Sequence, residues 1–276
     1  MVIDVHNLSK RYQLGVVTAE TISLDLNRWW ARIRGKDDPA KEITTKNVLG
    51  KSSKAKFVWA LKNVSFQIDR GERIGIIGKN GSGKSTLLKI ISRITSPTEG
   101  IIKINGKVGS LLEVGTGFDS ELTGIENIFL FGSILGMTNN VIKKNLEEII
   151  DFSGIKSYIN TPLKRYSSGM RIRLGFAVTS FLDADILLLD EVFAVGDQKF
   201  QKKAMVKIKE LATEHNRTIF LVSHNLDTIR RNTNKCLILD NGNLIAYGNT
   251  SNMIDKYLVL IDDYNKSSSN DNNYGE

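Results

Sequence analysis

Apolar and polar positions along this chain fall into three kinds of pattern. At the N-terminus "VIDVHNLSKRY" intersperses the apolar Val2, Val5 and Leu8 with polar residues and predicts an edge strand. "FVWALKNVSFQID" and "RIGIIG" predict two strands joined by the turn at "DRGE". "DILLLDE" and "TIFLVSH" each hold an unbroken apolar run of four residues, of the kind found in strands covered on both faces, and a helical stretch separates them. "CLILDNGNLIAYG" sets an Asn-Gly pair between two alternating runs, which predicts a tight hairpin. Helical spacing marks "KSTLLKIISRI", followed by the loop "SPTEG" and the segment "IIKINGKVGSLL". Residues 121–182 are mainly helical in pattern, with breaks near Gly154 and Pro162.

Two stretches break this order. Residues 13–56 are polar, charged and glycine-containing, with one amphipathic helix predicted at about 20–35. Ile22, Leu26, Trp29 and Ile33 share one face of it, Arg28 and Arg32 form a basic stripe alongside, and Trp30 and Arg34 flank them. Asp37, Asp38 and Pro39 end it. Such a helix suits docking on its own domain, or an interface where Trp and Arg meet a membrane surface. At the other end, residues 261–276 are polar and predict a disordered tail.

Composition narrows the class. The chain has 276 residues and a net charge of +8. Residues 1–60 hold 11 Lys and Arg against 6 Asp and Glu, so most of the excess precedes the central motif. That surplus suits nucleic acid, anionic lipid or an acidic partner, and charge alone does not choose. No apolar run reaches the ~18 residues of a membrane span, and the N-terminus lacks a signal-peptide core. The lone Cys236 has no partner for an internal disulfide and reads as a strand residue in a reducing compartment.

Three motifs carry chemistry. "GKNGSGKS", Gly78 to Ser85, fills the phosphate-loop pattern and sits between a strand and a helix, as the motif requires. Its backbone N–H groups wrap phosphates and the helix N-terminus adds positive potential. Gly78, Asn80, Gly81, Ser82, Gly83, Lys84, Ser85 and Thr86 are therefore the candidate nucleotide-binding residues. Lys84 would meet the β- and γ-phosphates, and Ser85 would hold Mg²⁺. In "ILLLDE", Asp190 emerges at the end of a buried strand, placed to bind Mg²⁺, and Glu191 is placed to orient the attacking water. "RYSSGMRIRLGFAV" is the third.

At this point the chain resembles the ATP-binding subunits of ABC transporters. "YSSGM" stands in the place of that family's signature: Ser167 and Gly169 are kept, while Tyr166, Ser168 and Met170 replace the usual residues. The resemblance implies that Ser167, Ser168, Gly169 and Met170 reach the γ-phosphate held by an opposing subunit. It implies a D-loop in "AVGD", with Asp197 touching that subunit, and a switch role for His224 in "LVSHN". His6 and His215 have no such setting. Glu113 lies nearest the place of the family's magnesium-ligating glutamine, where a carboxylate oxygen can replace an amide oxygen. The adenine-stacking aromatic is Tyr12 if residues 13–56 are an insertion, or else Trp59; "NLSKRY" favours Tyr12.

The resemblance implies an α/β P-loop NTPase cassette over 1–260, with a RecA-like core, an antiparallel β subdomain and a helical subdomain over 119–182. "GFDSELTGIENI", "DEVFAVGDQKFQKK" and the N-terminal insertion resemble the polysaccharide-exporting subgroup, which serves O-antigen, teichoic acid and capsule export. The expected activity is ATP hydrolysis with ATP and Mg²⁺, by a homodimer on the cytoplasmic face of the inner membrane. It would drive a lipid-linked glycan through a pair of separate permease subunits, with Arg28, Trp29, Trp30 and Arg32 at the permease or membrane interface. The rival expectations are an ABC ATPase serving another substrate, or a soluble nucleic-acid-associated one. Nucleic acid is not an expected partner, because neither a coiled-coil insertion nor a second cassette is present.

Overall fold

A computed structural model describes residues 1–13, 57–110, 117–189, 198–214 and 216–271. In chain order the elements begin with β1 (Ile3–Gln13), β2 (Phe57–Ile68), β3 (Arg73–Ile77), α1 (Lys84–Ile91), β4 (Glu99–Ile104) and β5 (Val108–Ser110). There follow α2 (Gly124–Ile134), α3 (Asn139–Ser153), two 3₁₀ turns (Lys156–Tyr158 and Leu163–Arg165), α4 (Ser168–Ser180) and β6 (Ile186–Leu189). The chain continues with α5 (Gln198–Glu214), β7 (Thr218–Val222), α6 (Leu226–Asn232), β8 (Lys235–Asp240), β9 (Asn243–Asn249) and α7 (Thr250–Asp271).

The strands form two sheets, one of order β2-β1-β4 and one of order β5-β6-β7-β3-β8-β9. The larger is parallel from β5 to β8, and β9 closes it antiparallel through the Asn241–Gly242 turn, both residues at positive φ. Its apolar runs are explained by two cores. Ile74 and Ile76, Ile186 and Leu188, Phe220 and Val222, and Leu237 and Leu239 face the core shared with α1 and the small sheet. Their alternates, among them Ile77, Leu187, Leu189, Ile219, Leu221 and Ile238, face the core shared with the helices. A period of two therefore feeds both faces with apolar side chains, and no polar position is left in the run.

The helices of the second core cap themselves locally. Thr123 and Glu126 form a reciprocal capping box on α2, Thr138 caps α3, and Gly154 ends α3 in the left-handed region. Ile128, Phe131, Ile142, Ile149 and Leu174 bury their inner faces.

Two expectations are corrected. β1 is the middle strand of its sheet, not an edge, since it pairs with β2 on one side and β4 on the other. Alternation reports which face of a strand is buried and carries no information about lateral neighbours. The predicted disordered tail over 261–276 is also revised, because α7 runs to Asp271. Ile254 is buried, and Tyr257 and Leu260 pack on the core, so the helix is nucleated by docking and each further residue adds one hydrogen bond. The predicted helix at 20–35 lies outside the described residues.

Candidate functional site: a phosphate loop and its cavity

β3 ends at Ile77 in the middle of the larger sheet, and the loop Gly78–Gly83 turns from it into α1. The loop is pressed between two neighbours. A Cβ on Gly78 would lie 2.1 Å from the Leu239 carbonyl oxygen of β8, and one on Gly83 would lie 2.5 Å from the Ala60 carbonyl oxygen of β2. Both residues also have positive φ, so only glycine fits either position. The Ser82 carbonyl accepts the Gly242 N–H at 3.1 Å, and the Gly242 carbonyl accepts the Lys62 N–H at 2.8 Å. The β8–β9 hairpin thus ties the loop to β2. Sequence reasoning missed this clamp, because Ala60 and Gly242 act through backbone atoms and leave no side-chain signal.

Lys84 is buried in the first turn of α1, and its ammonium donates to the Gly78 and Lys79 carbonyls at 2.8 and 2.9 Å. The side chain is thereby held along the inside of the loop. Ser82 is buried as well, and its hydroxyl has no hydrogen-bond partner among the described residues. Ser85 lies exposed beside Lys84.

A cavity of about 520 Å³ opens over the loop. Asn80, Gly81, Gly83, Lys84, Ser85 and Thr86 line it, together with His224 just beyond β7 and, from the small sheet, Tyr12, Val58, Trp59 and Ala60. The size suits a nucleotide. Tyr12 and Trp59, the two alternatives for the stacking aromatic, both reach it. They belong to different cross-strand pairs, Tyr12 opposite Val58 and Trp59 opposite Arg11. Gly78 and Ser82 form the back of the loop and are not among the lining residues.

The signature residues lie elsewhere. Ser167 is the N-cap of α4, its hydroxyl accepting the Met170 N–H at 3.2 Å. Ser167 and Ser168 are exposed, and Gly169 and Met170 half-buried. Tyr166 is buried and donates to the Tyr158 carbonyl at 2.7 Å, and its burial pushes the phenol pKa up. Arg171 donates twice to the Leu163 carbonyl, at 3.2 and 3.0 Å. The segment is thus anchored through the Tyr166 and Arg171 side chains. None of Ser167, Ser168, Gly169 and Met170 lines the cavity.

Glu113, Asp190, Glu191, Asp197, Arg28, Trp29, Trp30 and Arg32 lie outside the described residues. β6, which leads to Asp190, runs parallel to β7 and one strand from β3, so its C-terminal end lies on the same edge as the phosphate loop. Among the described residues no three acidic, His or Cys side chains gather as a cation cage. Mg²⁺ is commonly held by one or two protein oxygens together with substrate phosphates, and the exposed Ser85 hydroxyl at the cavity fits that manner of binding. Burial pushes the Cys236 thiol up to about 12, which makes it an inert strand residue.

Residues 61–194 match the ABC transporter family model. The O-antigen export system ATP-binding protein RfbB of Klebsiella pneumoniae is 40% identical over 198 residues, which are 72% of this chain and 80% of that protein. This chain belongs to the ABC transporter family. The teichoic acids export ATP-binding protein TagH of Bacillus anthracis is 41% identical to this ABC chain over 81% of it and 40% of TagH. The RfbB of Myxococcus xanthus is 41% identical over 83% of the chain and 53% of its own length. The chain thus spans about half the length of several relatives it matches. Among solved structures, an ATP-binding subunit of an ABC transporter superposes with a TM-score of 0.69 at 22% identity, covering 93% of each chain. A dimeric ATP-binding cassette in a post-hydrolysis state with ADP and Pi gives 0.67 at 22% identity, covering 90% of this chain and 98% of that one. The expected fold class, a cassette with antiparallel and helical subdomains, is therefore the fold of this ABC chain.

Proposed function

We propose that this chain is the ATP-hydrolysing subunit of an exporter that drives lipid-linked polysaccharide through a separate membrane permease. The observation that carries the ATPase reading is the cavity that Lys84 and Ser85 of the phosphate loop share with His224, distant in sequence, and with two aromatic residues. The polysaccharide reading is supported by relatives named for teichoic acid and O-antigen export.

In the proposed cycle each nucleotide lies between two copies of the chain. Gly78–Ser85 of one copy wraps the α- and β-phosphates, and Lys84 swings from the loop carbonyls to the β- and γ-phosphates. Ser167–Met170 of the other copy present the α4 N-terminus to the γ-phosphate, where its N–H groups stabilise negative charge. Glu191 orients the water, His224 contacts the γ-phosphate, and Asp197 joins the copies. Mg²⁺ arriving with the nucleotide would be held by Ser85 and Asp190, with Glu113 beside them, and would neutralise phosphate charge. Tyr12 and Trp59 offer stacking surface for the base.

No helix among the described residues is long and apolar enough to cross a membrane. By analogy with relatives named for export systems, the reading assigns the transport path to a permease pair and this chain to its cytoplasmic face, with Arg28, Trp29, Trp30 and Arg32 at the contact. Co-purification from detergent-solubilised membranes tests it. A multi-spanning subunit with ATPase stimulated by lipid-linked glycan is the expected result, and co-purifying nucleic acid without such a subunit would overturn it. Replacing Arg28, Arg32 and Arg34 with Ala should lower export while the solubilised ATPase persists; unchanged export removes the interface role.

A further inference from the structure

The start of α4 is held by side chains that the phosphate chemistry does not use. Tyr166 precedes Ser167, the N-cap of α4, and both have extended backbone, with φ, ψ of −83°, 142° and −66°, 161°. Successive side chains of an extended chain point to different sides. Tyr166 turns into the helix-lined core and is buried, whereas Ser167 is exposed. Fixing the first therefore aims the second.

The Tyr166 ring is fixed at its far end, where the hydroxyl donates to the Tyr158 carbonyl of the 3₁₀ turn Lys156–Tyr158. Gly124, the first residue of α2, leaves room for this bond, since a Cβ there would lie 2.4 Å from the phenol oxygen. The turn before Tyr166 is fixed as well. The Leu163 and Lys164 N–H groups donate to the Leu122 and Ser120 carbonyls at 2.9 and 2.8 Å, and the Lys164 ammonium pairs with Glu121 at 2.6 Å. The loop accepting these bonds is stitched by the buried Asn127. Its side-chain amide donates to the Asp119, Leu122 and Thr123 carbonyls, and its side-chain oxygen accepts the Asp119 N–H. Two side chains tie the start of α4 to this frame: Tyr166 at the Tyr158 carbonyl and Arg171 at the Leu163 carbonyl.

We propose that Tyr166 and Arg171 are positioning residues of the signature segment, together setting the direction in which Ser167 and the start of α4 meet a nucleotide held by a second copy. The inference rests on the reading that the signature acts on a nucleotide bound by an opposing chain. Neither side chain touches nucleotide in this role. Ser167–Met170 do not line the cavity of their own chain, so their orientation is set by this frame before the copies meet. A segment already oriented loses less freedom on association.

The test measures ATP-driven pairing of the full chain in a Glu191→Gln background, in which the proposed dimer should accumulate. Tyr166→Phe removes one hydroxyl, and the Tyr158 carbonyl keeps the Thr161 N–H at 2.8 Å, so the fold should survive. Arg171→Met removes the other anchor, and the Leu163 carbonyl keeps the Tyr166 N–H at 3.0 Å. Each variant should raise the dimer dissociation constant about 2- to 10-fold, the range of one hydrogen bond. ATP affinity of the dilute, unpaired chain should stay unchanged, because the phosphate loop belongs to other elements. With Glu191 restored, the chain concentration giving half-maximal ATPase should rise by the same factor. Unchanged pairing in either variant that folds overturns the proposal. Equal weakening of pairing and of ATP binding by the unpaired chain also overturns it, since that marks a general loss of fold. If Glu191→Gln alone does not pair on adding ATP, the reading of a shared nucleotide fails, and the proposal falls with it.

Discussion

The phosphate loop and the signature segment each sit at the start of a helix, yet they are built in opposite ways. Around Gly78–Ser85 the chain supplies its own constraints. β2 and β8 press on the two glycines, the hairpin N–H of Gly242 holds the Ser82 carbonyl, and Lys84 is tied to the loop carbonyls. Around Ser167–Met170 the constraints come only from behind. A Cβ on Gly169 would meet nothing nearer than the Ser167 hydroxyl, 3.9 Å away. Nothing among the described residues requires that position to be glycine. The first segment is enclosed by its own chain and the second is open, as the proposed nucleotide between two copies would require.

The largest effects should come from the chemical groups. Lys84→Ala and Glu191→Gln should each lower turnover about 10²- to 10³-fold, the usual consequence of losing a group aimed at developing charge or at the attacking water. Steady-state phosphate release measures it. Glu191→Gln should still bind ATP and accumulate as a dimer in size-exclusion chromatography, and near-normal turnover in that variant refutes the role of Glu191.

The glycines sharpen the contrast itself. Gly83→Ala forces a methyl group onto the Ala60 carbonyl at a positive φ and should destabilise the fold by about 2–4 kcal/mol in urea titration. Gly169→Ala should leave stability unchanged or raise it by up to about 1 kcal/mol, because alanine favours a helix. Its turnover should nevertheless fall about tenfold or more, equivalent to at least ~1.4 kcal/mol in the barrier, from crowding of the facing nucleotide. Equal stability losses at the two glycines would erase the distinction.

Ser167→Ala should disturb the fold less than Gly83→Ala does. It removes the N-cap of α4 and should cost about 1 kcal/mol, with an additional loss of turnover. Ser167→Asp restores a cap acceptor, so stability should return. Turnover should not, since a carboxylate repels the γ-phosphate. Recovery of both would reduce Ser167 to a helix cap.

Much of the site is legible in the sequence because its groups are contiguous and locally encoded. "GKNGSGKS" fixes a strand, a tight loop and a helix start within eight residues, and "YSSGM" fixes a capped helix. The buried runs of β6 and β7, and the Asn241–Gly242 hairpin, follow from side-chain period and turn chemistry. Sequence pattern decided which residues are buried and which segments turn, since both depend on nearest neighbours along the chain. The tertiary structure alone decided the order β5-β6-β7-β3-β8-β9 that brings His224 to the cavity lined by Lys84, and the placement of β1 between two partners. It alone decided the docking that carries α7 to Asp271, and the register that puts Arg11 against Trp59. Those outcomes depend on packing between residues distant in the chain, and a hydrophobic period encodes which face is covered without encoding what covers it.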